Sequence, residues 1–466
     1  MAHDTVRGVV IIARAGDRVG YEQNPMNYDS SPTECTPLGE VQSFDLGQTL
    51  SDIYFDPSSP DAIKGIQSDL ADLEQIHVRV KNGGEGRVVF DSALAMLQGL
   101  FPPTEKNSIE LANEQRITAP LGGYQYVPVE TVEPSNDRSL ESWTDCPAFE
   151  AHVKKVYGSS DFKEKAKEAQ KFLSEAKDFV FGRSTSFENV HNIHDYMNDQ
   201  LTHNRTYAHR LPPTFIEQAR HWANYHETAV FGDSRMGGIG NIASRTLMRS
   251  IISTLQRITL DGDPLQFLVE ATTYQPFISL FHQIDAIEKD PSLQAIPDYA
   301  SAIAIELRRG ELPDKRDFLR FKFRNGTVDD DFRLLHAFNH KEDIPLTEFI
   351  YRIENSVIGS HSQWQRVCGS RSVWPAIPNP FSGIDNAETL PSAGEPQPLM
   401  SAMYGAMFAA LLMFLAFSTM KFARRMYNGR RIRLDRIEAD EPVGISTPLI
   451  RDNQAFNEKR HVMFGM

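Results

Sequence analysis

The chain has 466 residues, enough for two ordinary domains or for one large α/β domain with appendages. Charged residues make up 24% and hydrophobic ones 41%, with a formal charge of -14, which suits a folded body and excludes a general nucleic-acid binder. Three cysteines, Cys35, Cys146 and Cys368, are too few and too scattered for a zinc ribbon or a small disulfide scaffold.

Residues 6–13 (VRGVVIIA) form a short apolar, β-branched run bounded by charges, which predicts a buried central strand. It ends in Arg14-Ala15-Gly16-Asp17-Arg18. A helix is predicted over residues 36–50, a second strand over 76–80 and another helix over 88–100, closed by Phe101-Pro102-Pro103. Strands alternating with helices indicate an α/β sandwich. From about 146 the pattern turns to long helices, 162–180, 186–201, 214–225 and 241–257, of which residues 146–240 read as a helical cap inserted into the sandwich. Strand signals return at 267–273, 301–307 and 318–323, and Asn325-Gly326 marks a hairpin turn. The globular domain is thus expected over residues 1–374, with a Pro-rich linker over 375–398.

Residues 399–420 carry no formal charge, and at ~1.5 Å per residue a helix over them is about 33 Å long, enough to cross a bilayer. Lys421, Arg424, Arg425, Arg430, Arg431, Arg433 and Arg436 crowd the far flank while 375–400 has no Lys or Arg, which places the tail 421–466 in the cytosol. The globular domain is then lumenal or extracellular, a setting that two N-x-[ST] sequons at Asn204 and Asn325 also suit. In that setting three cysteine pairings are open, and Cys146 with Cys368, leaving Cys35 free, is preferred. Ser401, Gly405 and Ala409 have the spacing that lets two membrane helices approach as a dimer. Residues 1–8 lack the apolar core of a signal peptide. The topology therefore expects either a signal upstream of Met1 or a tail anchor inserted against the charge rule.

Three other constellations carry little. His221 and His226 are five apart on a predicted helix, not the four that puts two imidazoles on one face for zinc, and no acidic partner is implied. Gly83-Gly84-Glu85-Gly86 lacks the Lys-Ser/Thr ending of a phosphate loop and reads as a tight turn after the Arg79 strand. Residues 329–331, three aspartates, read as a solvated turn. Nothing in the pattern asks for a metal or a cofactor.

Arg14-Ala15-Gly16-Asp17-Arg18 resembles the Arg-His-Gly-x-Arg signature of the histidine acid phosphatase branch of the histidine phosphatase superfamily. The resemblance extends through Thr36-Pro-Leu-Gly-Glu, Val78-Arg79, residues 100–103 and 240–257. Segments such as 119–128 and 141–146 look closest to a fungal phosphoglycerate mutase-like group. It implies a three-layer α/β/α sandwich with a helical cap. In that family the motif histidine becomes phosphohistidine, the arginines hold the phosphoryl oxygens, and a later His-Asp contacts phosphate and protonates the leaving alcohol. Here the nucleophile position is Ala15, and the later motif aligns on Leu268 to Thr273 with Glu270 for its histidine and Ala271 for its aspartate. A methyl group accepts no phosphoryl group. Arg14, Arg18 and Arg79 match the anion-binding arginines; their guanidinium forks suit phosphate or a phosphomonoester, and the competing reading pairs them with Asp17 or other acids as buried ion pairs.

The expected function is therefore a membrane-anchored pseudoenzyme that binds a phosphorylated ligand or a protein. One alternative is an active acid phosphatase with a different nucleophile, water activated by Glu270. Another is a membrane-tethered scaffold whose basic segment 421–436 meets anionic lipid.

Overall fold

The computed structural model describes residues 5–310 and 315–369. The β-branched run opens the chain as β1 (Thr5–Arg14), and the two-residue strands β2 (Arg18–Val19) and β3 (Glu34–Cys35) pair with each other beyond it. Helix α1 (Pro37–Tyr54) starts where the sequence predicts, because the Thr36 hydroxyl accepts the Gly39 amide and Pro37 fits the first turn. Then come β4 (Ile76–Lys81), α2 (Gly86–Leu100), a hairpin of β5 (Ser108–Glu110) and β6 (Arg116–Thr118), α3 (Pro120–Gly123) and β7 (Glu130–Val132).

A helical stretch follows: α4 (Pro147–Gly158), α5 (Ser160–Ala176), α6 (Val190–His203), α7 (Arg205–Arg210) and α8 (Pro213–Phe231). Helix α8 runs past the predicted stop at Tyr225, because His226 and Glu227 break the apolar pattern in sequence yet are fully buried. The remainder is α9 (Ile242–Thr259), β8 (Phe267–Thr272), α10 (Gln275–Gln283), β9 (Ala302–Arg309), β10 (Asp317–Arg324), β11 (Arg333–Leu335), β12 (Asp343–Pro345), α11 (Leu346–Ile353) and α12 (His361–Cys368).

The central sheet has the order β11-β10-β9-β1-β8-β4-β7, with β12 also on β10. β1, β8, β4 and β7 run parallel; β9 turns antiparallel on β1, and β10 on β9. Because strand side chains alternate, Val9, Ile11, Val78, Val80 and Val269 pack on α1 and α2. Val10, Ile12, Leu268, Ile303 and Ile305 pack on α9, α10 and α11 on the other face. This is the expected α/β/α layering. Helices α5 to α8 gather a cluster of their own around Phe172, Ile193, Met197 and Ala219.

Cys146 and Cys368 are joined, tying the start of α4 to the end of α12, and Cys35 is free. This is the pairing preferred from sequence. Asn204 is exposed at the start of α7, whereas the Asn325 side chain is engaged by Asp298 and Ser301. Among the described residues no helix is long and apolar enough to cross a membrane. The proposed span 399–420, its linker and its basic tail lie outside the described residues.

Candidate functional site

The parallel strands β1, β8 and β4 end on one side of the sheet, the side where open α/β sheets form their ligand crevices. Register brings the predicted positions together. Ala13 pairs with Ala271, Arg14 with Thr272, and Glu270 stands between Ile12 and Arg79. The alternation of the strands then separates them into two groups: Ala13 and Ala271 face α1 and α2, and Glu270 and Arg79 meet on the opposite face.

On the first face, Ala15 and Ala271 line one gap of about 10 Å3, together with Ala13, Leu46, Val89 and Met96. That is no more than roughly one water's worth of space. The Ala15 amide donates to the Thr272 carbonyl at 3.2 Å, and its carbonyl accepts the Ala300 amide at 3.1 Å. Gly16 follows because nothing larger fits: a Cβ there would meet the Gly39 carbonyl oxygen at 2.1 Å. The loop is pressed onto the first turn of α1, and its amide donates to Ser92 Oγ at 3.0 Å.

The arginines are also brought to this end of the sheet, but two of them are already paired. Arg79 donates to Glu270 at 3.1 Å, Asp137 at 2.7 Å and Glu130 at 3.2 Å. Arg18 donates to Glu85 at 2.7 Å, lies 3.0 Å from Asp195, bonds the Tyr299 hydroxyl and covers the Tyr21 ring at 3.9 Å. Burial disfavours both charges, yet Asp195, Tyr299 and Glu85 raise the Arg18 pKa, and Glu270, Glu130 and Asp137 raise that of Arg79. On the acid side burial prevails: it pushes the Glu270 and Asp195 carboxyls up against the pull of Arg79 and Arg18. Asp17 is not a partner of these arginines; its carboxylate accepts Thr36 Oγ1 at 2.6 Å and lies 2.7 Å from His203 Nε2.

Arg14 differs. It donates to the Pro297 carbonyl and lies against the rings of Tyr299 and Tyr274, and among the described residues no carboxylate pairs with it. Burial lowers its pKa. It lines a cavity of about 50 Å3 with His194, Asp195, Asn198, Arg220 and Tyr299. Burial, with Arg220, Arg14 and Arg18 adding to it, pushes the His194 imidazole down to about 3.

Sequence reasoning missed the counter-ions. Glu85 sits in the Gly83–Gly86 turn, which is a turn as predicted, with Gly84 at φ +55, but its carboxylate serves Arg18. His226 is a core histidine, but it has an acidic partner that the sequence did not imply. Its partner is the adjacent Glu227, at 2.8 Å from Nδ1, and its ring stacks on His191 rather than meeting His221. His191, His226 and Glu227 bring their donor atoms within 4.8 Å of one another. Glu227 spends its oxygens on Tyr28, Tyr274 and His226, each at 2.8 Å, and the His191 ring stacks on His226 with both of its nitrogens buried and unpaired.

Residues 15–324 match the sequence profile of the histidine phosphatase superfamily (branch 2). Lysosomal acid phosphatase of Bos taurus is 24% identical over 258 residues, 54% of this chain and 56% of that protein, so the chain spans just over half of that relative's length. The Homo sapiens protein of the same name is 22% identical over 373 residues, 78% of this chain and 80% of its own length. Among solved structures, the phytase from Citrobacter braakii superposes with a TM-score of 0.53 at 13% identity, over 77% of this chain and 99% of that one. Hafnia alvei phytase in complex with myo-inositol hexakis sulphate gives 0.52 at 11% identity, over 77% and 98%. These likenesses are of fold. With the profile spanning most of the described residues and the sheet, helices and arginine positions arranged as above, the chain belongs to the histidine phosphatase superfamily, branch 2.

Proposed function

We propose that this chain is a non-catalytic member of the family, a membrane-anchored phosphatase-like protein that binds a phosphorylated ligand or a protein without turning it over. The observation that carries this reading is that Ala15 and Ala271 wall one apolar gap. Covalent phosphoryl transfer requires a nucleophile there, and the alanines offer only methyl groups. Glu270 does not substitute as a base: it is fully buried and both oxygens lie within 3.4 Å of Arg79 Nη1.

Anion recognition centres on Arg14, the site arginine without a carboxylate partner, with His194 and Arg220 across the cavity. Arg18 and Arg79 contribute only if an anion displaces their own acids. A phosphorylated ligand is the class favoured, in keeping with the sulfated inositol held by Hafnia alvei phytase. The disulfide supports a lumenal or extracellular domain, tethered through residues 399–420 with 421–466 in the cytosol.

The test combines a vanadate or phosphate thermal shift with hydrolysis of p-nitrophenyl phosphate and inositol phosphates across the acid range. Stabilisation by the anion, lost in Arg14→Ala, with hydrolysis at background, is expected. Clear hydrolysis that disappears in Arg14→Ala overturns the reading.

A further inference from the structure

The cavity beside Arg14 adjoins a larger one of about 320 Å3, and Arg220, Ile296 and Pro297 wall both. The two differ in what they offer a ligand. We propose that the ligand of this site is a phosphomonoester with a single phosphate and an uncharged, ring-sized body: the phosphate enters the smaller cavity and the body lies in the larger one. This assignment of ligand class rests on Arg14 as the anion-binding group proposed above.

The smaller cavity, of about 50 Å3, has room for little more than a phosphoryl group. Its donors keep accessible surface. Arg14 is half-buried, and beyond the Pro297 carbonyl its guanidinium has no hydrogen-bond partner among the described residues. His194 and Asn198 are four apart on α6 and so share a face; both are half-buried, and neither side chain makes a hydrogen bond or ion pair among the described residues. Burial keeps the His194 imidazole neutral near pH 7, so one of its nitrogens donates. Arg220 spends Nη2 on Asp298 at 2.8 Å, with 42% of its side chain exposed. The carboxylates in this wall, Asp195 and Asp298, are held by Arg18 and Arg220, which leaves Arg14 without an acid.

The larger cavity discourages a second phosphate. Its two guanidinium groups, Arg220 and Arg333, face three carboxylates: Asp298 on Arg220, and Asp290 and Asp329 on Arg333. Asn325 is engaged by Asp298 and Ser301, and the Ser292 hydroxyl donates to Asp290. A second anionic group would therefore meet carboxylate charge and no free counter-ion. What is left open is apolar. Ala295 and Ile296 are partly exposed in the wall, alongside the buried side chains of Phe281, Leu293 and Phe323. The volume stands at the small end of ligand cavities, enough for one ring system.

The experiment is calorimetric titration of the full chain with inorganic phosphate, 1-naphthyl phosphate and myo-inositol hexakisphosphate, repeated on Ala295→Phe and Arg14→Ala. In the unmodified chain 1-naphthyl phosphate is expected to bind about tenfold or more tightly than inorganic phosphate, and the hexakisphosphate less tightly than the naphthyl ester. That order is read whether or not a variant folds. Ala295→Phe fills part of the larger cavity and should lose most of the preference for the ester over inorganic phosphate, whereas Arg14→Ala should weaken both. A naphthyl ester bound no more tightly than phosphate, a hexakisphosphate bound more tightly than the ester, or a preference that survives intact in Ala295→Phe overturns this ligand class and leaves the Arg14 reading standing. No binding of phosphate or ester by the unmodified chain, or binding equally tight in Arg14→Ala, overturns both.

Discussion

Arg79 Nη1 lies 3.1 Å from Glu270 Oε1 across neighbouring parallel strands, at positions whose Cα atoms are register partners. An arginine that the sequence resemblance matched to an anion-binding position thus has a carboxylate of the same chain against it. Glu270 is fully buried and stands on β8, next to Ala271. Buried pairs of this kind contribute little net stability when intact and cost much when broken.

Breaking it from the arginine side has a pH signature. Arg79→Met leaves Glu270 buried without its main partner and is expected to destabilise the protein by about 3 kcal/mol near neutrality. Burial already holds the Glu270 pKa above its ordinary 4.5. The folded chain therefore keeps this proton where the unfolded chain has released it, and stability attributable to Glu270 falls as the pH rises above 4.5. Denaturant melts should show a smaller loss in Arg79→Met under acid than at neutral pH. An equal loss at both would mean that Glu270 is not the group left stranded.

Removing a counter-ion should reopen the cradle. Glu85→Gln keeps the shape of the turn but frees one guanidinium edge of Arg18, leaving Asp195 as its acid. Vanadate or phosphate should then bind more tightly than to the parent, by about tenfold. A thermal-shift titration in which the two proteins cannot be distinguished would argue against self-neutralisation of the site.

The disulfide closes a span of 222 residues, and both cysteines are buried. Cys368→Ser is expected to cost roughly 2–5 kcal/mol, while Cys35→Ser leaves stability nearly unchanged. Unfolding curves with and without reductant measure both. Reductant should bring the parent to the level of Cys368→Ser.

His191 offers a test away from the site. It is buried between the rings of Tyr28 and His226, and burial pushes its imidazole from 6.5 down to about 3. The unfolded chain takes up this proton first as the pH falls below 6.5, so stability is lost progressively toward pH 3. His191→Phe preserves the stacking and removes the titration. Its unfolding free energy should fall less steeply than the parent's over that window, and an identical slope would rule out His191 as a source of acid lability.

Much of the fold was legible in local pattern. The β-branched run of residues 6–13 could hardly be anything but a buried strand, and Thr36-Pro37 announced the start of α1. Arg14 closes β1, Arg18 follows on β2 and Arg79 lies within β4. What only the tertiary structure decided is what those arginines hold. Glu85 is 67 residues from Arg18, and Glu270 is 191 from Arg79. A carboxylate that answers a guanidinium across such distances has no periodicity, cap or turn to mark it, because a charge pair depends on where two side chains meet and not on their spacing in the chain. The same holds for His226 and Glu227, which are buried because Tyr28, Tyr274 and His191 close over them.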